Sequence, residues 1–161
     1  MVDFTHPGPD DADLDIPGLQ RADDRLAHLT FERSFLSGPH HDKGIMNVRW
    51  FLGPNDTLKG RAWFGPGAQG PPGHAHGGSI AAVLDEALGS ACWAAGHPVL
   101  AAELTTRFKQ KVKLGQAYDV EAEVTRVEGR KIFVEGRILN GDEVLAEATG
   151  LFIVMRDFDG F

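Results

Sequence analysis

Cysteine is all but missing from this chain: Cys92 stands alone among 161 residues. A single cysteine cannot close an intrachain disulfide, so the fold must rest on its core, and a reducing compartment, the cytoplasm, is the expected location. Long apolar runs are missing too. No stretch approaches the roughly 20 residues of a membrane-spanning helix, so no membrane span is expected. The opening residues, 1–18, are acidic and lack the basic-then-apolar pattern of a secretory signal. No Gly-x-Gly-x-x-Gly or phosphate-loop motif occurs, which removes the nucleotide-dependent oxidoreductase and NTPase readings. Ser79 follows glycines but has no Gly-x-Ser-x-Gly elbow around it, as a serine hydrolase requires. His74 and His76 alternate like a ligand pair, yet no Asp, Glu or Cys stands close by in sequence, so no metal and no cofactor is expected. The net charge of -7 argues against nucleic acid as a partner.

What is present is enough for one domain with a real core. Residues 1–18 read as a flexible Pro/Asp-rich arm. Residues 19–42 read as a helical or extended segment, because Leu19, Ala22, Leu26 and Leu29 recur at helical spacing as far as about Phe35. Residues 43–161 form the domain proper. Ile45–Leu52 and Thr57–Phe64 make a hairpin about the Gly53-Pro54-Asn55-Asp56 turn. Ser79–Ala95 is apolar almost all round, the mark of a buried helix. Four strands follow, at about Leu100–Val112, Ala117–Glu128, Lys131–Leu139 and Val144–Met155. Glu128-Gly129-Arg130 and Asn140-Gly141-Asp142 are turn signals between consecutive strands, so an antiparallel meander is expected. One long buried helix wrapped by five to six antiparallel strands is an α+β fold. A single concave sheet cannot cover the whole circumference of such a helix, so a homodimer or a larger assembly is expected.

His76-Gly77-Gly78 opens that helix, and Asp85 lies nine residues after the histidine. A helix N-terminus attracts negative charge, while a carboxylate on an apolar helix is costly unless it is bonded or put to use. Together they are suited to polarising and attacking a carbonyl. Gly78 and Asp85 are about 10 Å apart along the axis at 1.5 Å per residue, too far to meet on one carbon. Two antiparallel helices in a dimer remove this difficulty, because one subunit's Asp85 can face the other's Gly77 and Gly78. Arg107, Lys109, Lys111 and Lys113 are spaced by two, so an extended strand would set all four on one face as a cationic stripe.

The ordered set Gly70-Pro71-Pro72-Gly73, His76-Gly77-Gly78, Leu84-Asp85-Glu86-Ala87 and Gly89 resembles the signature of hotdog-fold acyl-CoA thioesterases of the phenylacetate-pathway type. That group includes mammalian mitochondrial long-chain enzymes. Ala102-Glu103-Leu104 with Arg107-Phe108, Val127 to Lys131, and Ala146 to Phe152 resemble its later strands, and the match spans about 43–156. The resemblance implies hydrolysis of an acyl-CoA to a free acid and coenzyme A by a homodimer or dimer of dimers. It also implies the composite site, with Asp85 as general base or as a nucleophile forming an anhydride. Gly77 and Gly78 would direct N–H groups at the thioester oxygen, His76 would orient the loop, and Gln69 would be a second donor. Arg107, Lys109 and Arg130 match nucleotide-contacting positions, and Lys131 sits in the same hairpin as Arg130. The chain departs from the family at Ala101, where many members carry a Ser or Thr that holds the water. Glu103, on the same strand face by period-two alternation, is the expected substitute. A non-catalytic acyl-CoA-binding or sensing protein is the rival reading, with Ala101 in its favour.

Overall fold

Alternating apolar residues give sheet strands one face to bury, and here that face is wound round one helix. The computed structural model describes residues 11–26, 35–36 and 44–159. The elements are α1 (Asp11–Leu14), β1 (Gln20–Arg21), β2 (Met46–Leu52), β3 (Leu58–Phe64), α2 (Gly77–Ala94), β4 (Val99–Phe108), β5 (Ala117–Glu128), β6 (Lys131–Asn140) and β7 (Glu143–Val154). The strands form one antiparallel sheet in the order β1-β2-β3-β5-β6-β7-β4. This is the α+β hotdog arrangement, with seven strands among the described residues where five to six were expected.

The additional strand is β1, and it corrects the helix expected from Leu19. Gln20 and Arg21 pair with Leu52 and Phe51, and the chain then turns through 23–26. Ala22 and Leu26 are buried all the same, so the apolar spacing reported burial and not helix. The rest of that expected helix, 27–34, lies outside the described residues. The described part of the acidic arm is tied down. Leu14 is buried, Asp15 pairs with Arg49, and the Arg61 guanidinium donates to the Asp13 carbonyl at 3.2 Å. Arg25 reaches further and donates to the Ala94 carbonyl at 2.9 Å, at the C-terminal end of α2. A cation there meets the negative pole of the helix dipole. Arg25→Ala is expected to cost about 1 kcal/mol and to lower Tm by about 2–4 °C, which thermal unfolding followed by circular dichroism would measure.

Gly129 and Gly141 close the β5–β6 and β6–β7 hairpins with φ near +59°, a conformation that favours glycine. Helix α2 lies against β3 to β7. Ile80, Val83, Leu84, Ala87, Leu88 and Ala91 are buried in that contact. Leu88 comes especially close, because β-carbons added at Gly136 or Gly150 would stand 3.0 Å from its methyls. The burial of α2 is not all round. Gly78 and Asp85 are exposed, and Ala81, Ala82 and Gly89 are only half-buried, so one stripe of small residues and one carboxylate is uncovered in the single chain. No helix among the described residues is long and apolar enough to cross a membrane.

Candidate active site

The start of α2 is held by its own histidine and by the loop before it. His76 has extended backbone, as an N-cap does. Its Nδ1 accepts the Gly78 N–H at 2.8 Å, which places the proton of the neutral ring on Nε2. The His76 N–H donates to the Ala68 carbonyl at 2.8 Å, and Ser79 Oγ donates to the His76 carbonyl at 2.7 Å. Gly70 lies directly against this cap: a β-carbon there would stand 2.7 Å from His76 Cα. The expectation for the two glycines therefore needs correcting. The Gly78 N–H is already used by the cap, and it is Gly77, at the first helical position, whose N–H has no partner recorded among the described residues. Gln69 is exposed, and its Oε1 accepts the Gly73 N–H at 2.9 Å, leaving its side-chain NH2 free to donate.

Asp85 lies seven residues beyond Gly78, two turns along the same uncovered stripe. Although Asp85 is exposed in the single chain, partial withdrawal of its carboxyl from water against the helix raises its pKa above the ordinary value of 3.8. Glu86, the adjacent carboxylate, points elsewhere and accepts the Trp50 Nε1–H at 3.1 Å. Cys92 is fully buried, and burial pushes its thiol up to about 12, so it stays protonated and unreactive.

Strand β4 supplies the wall beside the helix start, and there the sequence expectations change most. Its pairing with β7 slips between Ala101 and Glu103. Ala101 pairs with Phe152, a buried residue of the helix-facing layer, whereas Glu103 pairs with Leu151 on the other face. Glu103 therefore does not stand beside Ala101 and cannot substitute there for a hydroxyl; a β-bulge breaks the period-two alternation. The inward row becomes Leu104, Thr106 and Phe108. The ring of Phe108 lies over the helix start, with Cζ 3.4 Å from where a Gly77 β-carbon would stand. Phe108 is also 55% exposed, unusual for so large an apolar side chain. Phe108 is a residue that sequence reasoning did not place at the site, and Thr106 lies two residues back on the same inward row. An odd-numbered shift of alternation within β4 was the missing signal, and the run Ala101-Ala102 has nothing that announces it.

The cationic stripe is broken as well. β4 ends at Phe108, so Lys111 lies in the following loop and Lys113 in an isolated bridge to His74. Arg107 faces outward into a groove of about 530 Å3 with Lys59, Glu121, Arg137 and Glu147. Burial pushes the Glu121 carboxyl up, but hydrogen bonds and charge from Lys59 and Arg137 outweigh it and hold its pKa below the usual carboxylate range. Lys109 pairs with Glu147 at 2.9 Å. Arg130 donates from Nε to the Val154 carbonyl at 3.0 Å, and Lys131 is exposed in the same hairpin. Arg107 and Lys131 lie opposite Glu147 and Ile153, six residues apart on β7, or about 20 Å. Within one chain, the two pairs of cations do not converge.

Residues 72–147 match the family model of the thioesterase superfamily. An acyl-coenzyme A thioesterase, THEM4, of Xenopus laevis is 37% identical over 91 residues, covering 55% of this chain and 41% of that protein. A crystal structure described as a thioesterase superfamily protein aligns with a TM-score of 0.64 and 32% identity, covering 66% of this chain and 56% of the other. A Bacillus halodurans protein solved with CoA aligns with a TM-score of 0.55 and 27% identity, covering 60% of this chain and 66% of the other. The chain spans between 37% and 56% of the length of the curated relatives it matches.

Proposed function

We propose that this chain is a thioesterase of the superfamily whose model matches residues 72–147, and that it hydrolyses acyl-CoA thioesters to a free carboxylic acid and coenzyme A. The observation that carries this reading is the uncovered stripe of α2, which presents a capped helix start and the Asp85 carboxylate on one surface. Relatives named acyl-coenzyme A thioesterases support the substrate class, as does a structural neighbour solved with CoA.

The working unit in this reading is a homodimer. β4 is a ten-residue strand at the edge of the sheet, with Leu100 and Phe108 exposed upon it. Long exposed edges invite pairing. Antiparallel pairing of β4 with its own copy, across a two-fold axis, would lay the uncovered stripes of the two helices against each other in opposite directions. It would bring Asp85 of the partner subunit toward the Gly77 N–H. The same rotation sets the Val99 end of one strand beside the Phe108 end of the other. The partner's Arg130 and Lys131 then approach Arg107 and Lys109, and the cations that are separate in one chain become one anion-binding surface for the coenzyme A phosphates. Two such dimers back to back would form the dimer of dimers.

At this site the thioester oxygen accepts the Gly77 N–H, with the helix dipole adding to its polarisation. In one route, water adds to the carbonyl carbon while the carboxylate of Asp85 takes its proton. The C–S bond then breaks and the thiolate leaves with that proton. In the other, the carboxylate itself adds, coenzyme A departs, and water hydrolyses the resulting anhydride. Both routes need Asp85 ionised. The rival reading, an acyl-CoA-binding protein without turnover, is favoured by one observation: Ala101 faces the helix and has no hydroxyl. Thiol release from acyl-CoA esters, from acetyl through palmitoyl and including phenylacetyl and benzoyl, separates the two. Turnover is expected, and its chain-length profile assigns the acyl group and tests the phenylacetate-pathway subtype; binding without turnover would establish the rival.

A further inference from the structure

The bulge in β4 decides which hydroxyl the strand turns toward the helix start. Val99 is buried and Ala101 pairs with Phe152, so the first part of the strand sends its odd-numbered residues inward. After the register shift, Leu104 pairs with Gly150, Thr106 with Ala148 and Phe108 with Ala146. Gly150 lies under Leu88 of α2, and Ala146 and Ala148 are buried. The even-numbered residues are therefore inward from Leu104 on. Without the bulge, Glu103, Thr105 and Arg107 would have followed Ala101 to the inside. The extra residue removes a carboxylate and an arginine from the helix side and exchanges Thr105 for Thr106.

Phe108 marks where this inward row ends, since its ring covers Gly77. Thr106 is two residues back from Phe108, about 7 Å along the strand, and is half-buried. Among the described residues no hydrogen-bond partner is recorded for Thr106 Oγ1, so the hydroxyl is available to a water at the inward face. The neighbouring hydroxyl at the helix start, Ser79 Oγ, is held by the His76 carbonyl.

We propose that Thr106 Oγ1 positions the water that adds to the thioester, a task for which Ala101 has no hydroxyl. The inference rests on the thioesterase reading. Thr106 is a positioning residue here: it holds the water by one hydrogen bond while Asp85 of the partner subunit takes the proton and the C–S bond breaks as described above. A chain with alanine at 101 can then still hydrolyse thioesters, because the bulge turns another hydroxyl of the same strand to the inward face.

The test compares Thr106→Val, Thr106→Ser and Thr105→Val in the full chain, measuring thiol release and the affinity for a non-hydrolysable thioether analogue of the best acyl-CoA. Thr106→Val, nearly isosteric, is expected to lower kcat about 10- to 100-fold, the scale of a misplaced reactant. KM and analogue affinity should stay within about twofold, and Thr106→Ser should retain most of the activity. Thr105→Val, one residue along on the outer face, should leave kcat unchanged. Wild-type kcat in Thr106→Val, beside an inactive Asp85→Asn, would overturn the role of Thr106 and leave the thioesterase reading standing. Equal losses in the Val and Ser variants, tracking a fall in Tm, would overturn it by showing a packing role. A wild-type protein that releases no thiol from any ester would overturn both.

Discussion

Asp85→Asn is expected to lower kcat for thioester hydrolysis by about 10²- to 10⁴-fold, the usual contribution of a positioned base, with KM little changed. The physical reason is that the substitution keeps shape and hydrogen-bonding capacity but removes the lone-pair charge that both chemical routes use. Two further readouts make this result specific. First, the working form in the proposed mechanism is the carboxylate, and its partial desolvation raises its pKa above 3.8; wild-type kcat should therefore fall on the acid side with a midpoint displaced upward from that value. Second, a raised folded-state pKa means that the folded protein holds the proton more tightly than the unfolded chain does. Ionised Asp85 thus opposes folding at pH values above its folded pKa, and that opposition disappears as pH falls below the unfolded value. Asp85→Asn should keep or raise Tm at neutral pH while turnover is lost. A variant with both activity and Tm lowered would identify Asp85 as a structural group.

Mixing two inactive variants is expected to restore activity. Gly77→Val would place a branched side chain over the helix start. Its β-carbon would stand 3.4 Å from Phe108 Cζ, the tip of an exposed ring that can give way, so the fold should persist. In the proposed dimer, each variant homodimer, Gly77→Val or Asp85→Asn, lacks one half of every site. In a heterodimer of the two, one site carries both defects and the other carries neither. Random association makes half the dimers mixed, so co-expressed variants should recover about one quarter of wild-type turnover per chain. A site complete within one subunit gives no recovery, whatever the mixing ratio. The measurement is thiol release by the co-expressed mixture; selecting the mixed dimers alone, over two different affinity tags, should raise the recovery to about one half.

The legibility of this protein follows the range of the interactions involved. The hairpins joining β5, β6 and β7 were readable because Gly129 and Gly141 do their work within four residues. The opening of α2 was readable for the same reason: His76 caps Gly78 two residues away. Burial at Ala22 and Leu26 was also visible, but not the backbone that achieves it, because β1 exists only through its hydrogen bonds to Phe51 and Leu52. The strand face expected for Glu103 was reversed by a single inserted residue. Alternation predicts a face only while register holds, and register is a property of two strands together.

What the sequence determined by itself, then, is the set of local structures and the chemistry they carry: one helix opened by His-Gly-Gly, a carboxylate two turns on, and strands punctuated by glycine turns. Tertiary structure decided the rest. It set β4 beside β7 and not beside β5, leaving a long edge open. It set the bulge that turns Thr106 inward and Glu103 outward, and it separated Arg107 and Lys109 from Arg130 and Lys131 by the length of the sheet. The reason is the same in each case. Caps and turns are satisfied by near neighbours in the chain, whereas strand order, register and the meeting of distant charges are satisfied only by partners that folding brings into contact.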